Sequence, residues 1–514
     1  MANLLKDNLI VLIQSLSPSE KRHFKLYVNR LGDNIDAKFL LLFNLLEKMD
    51  DYNEEKILKS NIVTKLQLSN LKAHLYKQIL VSLRMNPVNQ NIRILIREQL
   101  DFATILYHKG LYKQSLKILD KAKILAIEYE EKNIAFEIVE LEKVIESQYI
   151  TRSITTRADA LAIQAKELSK QNVIASKLSN LSLQLYSIML KSGYAKSDEE
   201  ASKITKYFNK QLPKIKIETL GFREKLWLFK AHLWYSFLIQ DFLSCYKYAN
   251  KWLCLFDENQ QMIFLNPVWY IKGNSYLLES LYLIKHKTKM KIVLENLEKT
   301  IALEQFPKND NLSSQYFICY YNNKFNLYFL DGDFNAGLHL VDEVLRKIIE
   351  NRDRIDEHHV MVFYYKIACL YFGMGDNKKC IAYLKKIIEN KNLSIREDLM
   401  CFARILSLIA HYDSGQDYML EVQLKSTYKF LIKMNDLHEV QKLIIKFLKN
   451  LGNIYPNDLK SEFEKIHKTL KVFENHPYEK RAFLYLDIIS WLESKLENKS
   501  VAFVIQQKSK LLLR

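Results

Sequence analysis

Histidines and lysines are the residues here most able to do chemistry, and their spacing sorts them. His358-His359, behind Asp356-Glu357, is the only adjacent histidine pair. Neighbouring helical residues point about 100° apart, so the two make a poor chelate and read as the polar start of a helix running into Tyr364. No GxxxxGK[ST] phosphate loop, HExxH or GxSxG motif occurs, and glycine is too scarce for a dinucleotide fold. No nucleophile set can be assembled, so neither a cofactor nor an enzymatic activity is expected.

Cations are the richer signal. KHKTKMK holds the densest basic run, with Lys285, His286, Lys287, Lys289 and Lys291. From Lys203 to Lys230, eight basic residues face Glu218 and Glu224, a net +6, with Tyr207, Phe208, Phe222, Trp227 and Phe229 interleaved. Single-stranded nucleic acid is bound by such mixtures, and a helix that buries aromatics and solvates lysines has the same composition. Near the N-terminus EEKILKSN and SNLKAHLYKQILVSLR could form a helix-turn-helix presenting Lys72, His74, Lys77 and Arg84. The same helices, with Leu71, Leu75, Ile79, Leu80 and Leu83 taking most of one face, read rather as a capping bundle that closes the apolar end of the array.

These residues must be positioned by helices. Of 514 residues, nearly half are hydrophobic, whereas Gly (11) and Pro (7) are rare, which starves strands and hairpins and leaves an all-α chain. The charge of +17 suits an acidic protein, an anionic surface or nucleic acid, yet Lys, Asn, Ile and Tyr are also what AT-rich codons supply. Cys245, Cys254, Cys319, Cys369, Cys380 and Cys401 are scattered without a CxxC pair and read as buried free thiols in a reducing compartment. Neither a convincing signal peptide nor an 18-residue apolar run is found, so no membrane insertion and a cytoplasmic location are expected.

Residues 1–87 read as a helical bundle. An amphipathic helix covers Leu4–Leu16. Ser17 with Glu20 forms a capping box for the next, and Asp36 starts a third that is apolar on most sides and therefore central. Over 88–430 a pattern recurs. In QLDFATILYHKGLYKQSLKILDKAKILA the positions Ala103, Leu106, Gly110, Tyr112, Ser115, Leu119 and Ala122 alternate small, large, Gly, aromatic, small, large and Ala. YYKIACLYFGMGDNKKCIAYLKKI reads as two helices across the turn Gly373–Asp376, with Ala368 facing Cys380. Further turns fall at Gly193, Gln240-Asp241, near His286, and at Gly332 and Gly415.

This pattern resembles the tetratricopeptide repeat, with Asn377 and Cys380 where that family favours an aromatic and an alanine. Gly332 and Gly375 stand 43 residues apart and Gly375 and Gly415 stand 40 apart, longer than the family's 34. The 83 residues from Gly110 to Gly193 read as two such units. The resemblance implies a right-handed α-solenoid, similar to divergent bacterial sensor and adaptor repeats, whose first helices line a groove for a protein or peptide. Polar positions on those helices, Tyr107, Asn322, Asn326, Lys366 and His411, are the expected partner contacts. Residues 431–514 are expected to form a helical cap with a basic tail ending in Lys508, Lys510 and Arg514. The expected function is a non-catalytic scaffold or adaptor. The alternative is a nucleic-acid or ribonucleoprotein-associated regulator using Lys72, His74, Lys77, Arg84, Lys285, Lys287 and Lys289.

Overall fold

A computed structural model of the chain describes residues 7–30, 36–87, 91–148, 156–390, 397–433, 439–451, 458–483 and 487–511. Among these every regular element is a helix. The chain divides into two compact units, Met1–Lys170 and Gln171–Arg514.

The first unit starts with α1 (Asn8–Ser15), α2 (Pro18–Asn29), α3 (Asp36–Glu47), α4 (Glu54–Lys59) and α5 (Lys65–Met85). The capping box forms as its residues predict: the Ser17 N–H donates to Glu20 Oε2 (2.9 Å) and the Glu20 N–H to Ser17 Oγ (3.3 Å). α3 is central, packing on α1, α2 and α5. Its Phe39, Leu42, Phe43 and Leu46 are fully buried. The side chain of Asp36 lies outside the described residues. α5 begins at Lys65, four residues before Ser69, so it is longer than its sequence pattern suggested.

Three helices follow in sequence order, α6 (Ile92–His108), α7 (Tyr112–Glu128) and α8 (Lys132–Gln148), and then α9 (Arg157–Ser192). At the α6–α7 crossing the small pair predicted by the repeat pattern is in contact. Ser115 Oγ donates to the Ala103 carbonyl at 2.8 Å, with both residues fully buried. The stretch from Gly110 to Gly193 is not two equal helix pairs. A second tight turn at Glu130-Glu131 carries no glycine, and α9 alone runs 36 residues.

The second unit continues through α10 (Asp198–Gln211), α11 (Phe222–Leu238), α12 (Phe242–Glu258), α13 (Gln261–Leu265), α14 (Pro267–Leu283) and α15 (Lys287–Ala302). Next come α16 (Asp310–Asp331), α17 (Phe334–His339), α18 (Val341–Glu350), α19 (Glu357–Gly373), α20 (Asn377–Ile388), α21 (Glu397–Asp413) and α22 (Asp417–Lys433). Helices pack chiefly on sequence neighbours: α11 on α12, α12 on α14, α14 on α16, α19 on α20 and α20 on α21.

One turn joins most pairs. A residue in the left-handed region is followed by a single residue before the next helix: Gly110, Glu130, Gln240, Lys285, Gly332, Gly375 and Gly415 hold this place. The following N–H returns to the carbonyl five residues back, Asp376 to Tyr371 (2.9 Å), Asp241 to Ser236 (3.0 Å) and His286 to Leu281 (2.8 Å), the Schellman closure. Asp241, Asp333 and Asp376 then cap the next helix with their carboxylates. Gly193 differs: it too has positive φ, but an extended stretch follows, in which the Ala195 N–H donates to the Leu238 carbonyl (2.8 Å).

The last elements are α23 (Glu439–Leu451), α24 (Leu459–Lys471), α25 (Ile488–Glu497) and α26 (Val501–Leu511). The segment PYEKRAFLYLDIISWLESKLE, whose pattern reads as one helix over 477–497, is helical only in part: 480–483 form a 3-10 turn and α25 starts at Ile488. Parts of this segment fold back on turns far earlier in the chain. Lys480 Nζ donates to the Gln240 carbonyl (3.2 Å) and Tyr478 Oη to Asp198 (2.7 Å). α26 docks on α16, with the Gln506 amide donating to the Gly332 carbonyl (3.0 Å). A Cβ on Gly332 would stand 3.0 Å from both the Ala502 carbonyl oxygen and Gln506. Arg514 and the predicted stop at Tyr455-Pro456-Asn457 lie outside the described residues.

Candidate functional site

A cavity of about 1590 Å³ opens within the second unit. Its walls are stripes from the first helices of successive pairs. α11 gives Trp227, Lys230 and Trp234; α14 gives Lys272, Ser275, Tyr276 and Glu279; α16 gives Gln315, Ile318 and Cys319. Spacings of three, four and seven put each set on one helical face. Asp356, His358 and His359 contribute from the start of α19, and α9 and α10 supply Tyr186, Glu200 and Lys203 among others.

The wall is aromatic. Trp227 meets Trp269 edge to face at 5.0 Å, and Trp234 contacts Tyr186 at 4.9 Å and Tyr276 at 5.7 Å. Lys230 Nζ lies 4.8 Å from the Trp227 ring centre and 4.9 Å from that of Trp269, and Lys272 Nζ lies 6.0 Å from the Trp269 centre. These are cation–π contacts. Among the described residues neither ammonium has a carboxylate partner. Burial, with Lys272 adding repulsion, lowers Lys230 to about 8. The Trp234 indole N–H is buried and has no acceptor among the described residues.

Two of the cavity's carboxylates, Asp356 and Glu200, are better supplied. Asp356 accepts from His359 Nδ1 (2.6 Å), and that bond holds its carboxyl well below the usual range against the opposing effect of burial. Glu200 accepts from the Lys196 N–H (2.8 Å). Burial pushes Tyr276 up and Cys319 up to about 12, so both keep their protons at neutral pH. All six cysteines are free, and only Cys254 is not fully buried. Among the described residues no group of three or more His, Cys, Asp or Glu is placed to hold a metal ion.

None of the five expected partner contacts lines this cavity. Three of them bond one another instead. Lys366 Nζ donates to the Asn322 carbonyl (2.9 Å) and to Asn326 Oδ1 (2.7 Å). Burial lowers this amine to about 7, with Glu279 pulling the other way. His411 is buried and its Nδ1–H donates to the Ser407 carbonyl (2.8 Å). Tyr107, in the first unit, donates to Gln148 (3.0 Å).

The cations expected to meet nucleic acid are mostly engaged. Lys72 pairs with Asp7 and sits 4.1 Å from the Tyr52 ring centre, and Arg84 pairs with Asp101 (2.8 Å). Lys287 pairs with Asp331, and Lys289 donates to Tyr246 Oη (2.5 Å) and Asn250 Oδ1 (3.3 Å). Lys285 occupies a left-handed turn 4.0 Å from Glu474. His74 and Lys77 are exposed, His74 with its ring edge on Phe39.

Sequence reading had singled out Trp227 and Lys230 within a basic-aromatic stretch and set His358-His359 aside. Lys272, Trp234 and Glu279 were missed, and only the i, i+3, i+7 recurrence of Trp227, Lys230 and Trp234 could have marked the face. The chain matches no known family model, and no curated protein matches it. No helix among the described residues is long and apolar enough to cross a membrane.

Proposed function

We propose that the chain is a non-catalytic adaptor of tetratricopeptide-like helix pairs, a right-handed α-solenoid in which the cavity of the second unit holds an acidic protein segment. The observation that carries this reading is the cavity wall itself: lysines without carboxylate partners, set among tryptophans on the first helix of successive pairs. The recurring Schellman turn and the packing of each pair on the next support the repeat reading. Rigid aromatic surface supplies contact area at low entropic cost, and lysine pairing supplies charge selectivity that weakens with salt.

The nucleic-acid reading has less to stand on, because Lys72, Arg84 and Lys287 already hold carboxylates. Affinity capture on the full chain, with and without nuclease, separates the two. A discrete acidic partner that survives nuclease, elutes with salt and is lost on Lys272→Glu supports the adaptor. Recovery of nucleic acid, or a partner lost on digestion, overturns it.

A further inference from the structure

We propose that Lys230 and Lys272 form an anion subsite that seats a side-chain carboxylate of the bound segment, an inference that rests on the acidic-partner reading above. Two ammoniums share the Trp269 ring, at 4.9 and 6.0 Å from its centre, and no carboxylate among the described residues pairs with either. Lysines elsewhere in this unit do find one: Lys495 pairs with Asp413 (2.9 Å) and Lys508 with Glu493 (2.5 Å). Like charges gathered without an anion repel, and one carboxylate between them relieves that repulsion.

Trp234 stands four residues after Lys230 on α11, on the same face, and adds aromatic surface beside the two ammoniums. The lowered proton affinity of Lys230 agrees with a charge awaiting a counter-ion.

Two features favour a peptide carboxylate over phosphate or a small molecule. Both lysines lie within the bodies of α11 and α14, away from any helix N-terminus, and no arginine fork lines the cavity. The volume, about 1590 Å³, exceeds what a drug-sized ligand fills, roughly 300–1,000 Å³.

The test is a tryptophan-fluorescence titration of the full chain with oligoglutamate, acetylated and amidated so that its only anions are side chains. Oligoglutamine and inorganic phosphate serve as comparison probes. A saturable change with oligoglutamate alone is expected. Lys230→Met and Lys272→Met should each weaken it about tenfold or more, while Lys230→Arg retains most of the affinity and Lys425→Met, on an exposed face, leaves it unchanged. Far-UV circular dichroism confirms folding, and the two lysines sit on different helices, so loss of one variant leaves the other to decide. Oligoglutamate binding untouched by both Met variants overturns the subsite and leaves the acidic-partner reading standing. No binding by the wild-type chain overturns both, and equal binding of phosphate overturns the carboxylate assignment.

Discussion

Two clusters of cations, one in each unit, are treated in opposite ways. In the first, Glu142 on α8 is fully buried between Lys123 of α7 (2.5 Å) and Arg157 of α9 (2.9 Å), with Asp120 3.5 Å from Arg157. In the second, Lys230 and Lys272 meet indole faces, and Lys366 meets a carbonyl and an amide oxygen. A desolvated charge held by an opposite charge is spent on the fold. One held only by π faces and dipoles keeps most of its attraction for an outside anion. The first arrangement is structural, and on the proposed reading the second, at Lys230 and Lys272, is what an acidic ligand would use.

Breaking the paired arrangement gives the largest effect. Glu142→Gln preserves shape but strands Lys123 beside an amide and leaves Arg157 to its longer pairs with Asp120 and Glu146. Removing one partner of a buried ion pair costs about 3–5 kcal/mol. Amide exchange in α7 and α8 should quicken accordingly. Exchange at the wild-type rate would mean that the ion network contributes little, and the contrast between the units would fall.

The unpaired arrangement has its own signature, in pH. Lys366 is lowered to about 7 in the fold, against 10.5 when unfolded. Between those values the unfolded chain binds the extra proton, so stability rises with pH, by at most about 1.4 kcal/mol per unit. Half-burial of the side chain trims this, and a gain of roughly 2 kcal/mol from pH 7 to 9 is expected. All five tryptophans (Trp227, Trp234, Trp252, Trp269 and Trp491) lie in the second unit, so urea melts followed by their fluorescence read that unit. Lys366→Met should remove most of the rise, leaving above pH 8 the part due to Lys230, which is lowered to about 8. An unchanged slope in the variant would place the proton elsewhere.

How much of this was legible in the sequence depends on range. Gly110, Gly332, Gly375 and Gly415 announced their turns because positive φ favours glycine. Glu130 takes the same conformation without one and was invisible. Gln240, only a weak signal in the sequence, is held there partly by its side-chain amide donating to the Ala195 carbonyl (3.0 Å), a contact no local pattern encodes. The fold-back of 478–506 pairs residues 174 to 280 positions apart, for example Gln506 with Gly332 and Tyr478 with Asp198. The cavity fared similarly. Trp227, Lys230 and Trp234 look like an ordinary amphipathic face until α14 brings Trp269, with Lys272 beside it, against Lys230. Asn322, Asn326 and Lys366 were chosen as groove-facing polar residues, and they bond one another because helices α16 and α19 meet there.

The smallest effect is also the most discriminating, because one substitution in two places is expected to be costly in the first and nearly neutral in the second. Lys123→Met leaves Glu142 with Arg157 alone in a fully buried site and should destabilise the first unit. Lys230→Met removes a half-buried ammonium that repels Lys272 and substitutes a thioether of similar length against Trp227 and Trp269. What is lost is one cation–π contact shared between two rings, about 0.5–2 kcal/mol. What is gained is relief from desolvation and from like-charge repulsion. The two nearly cancel, so the fluorescence-monitored urea midpoint should stay within about 1 kcal/mol of wild type or rise above it. A clear loss of stability would show that Lys230 is held as firmly as Lys123. The cavity would then be a piece of core with a buried charge, with nothing left over to offer a partner.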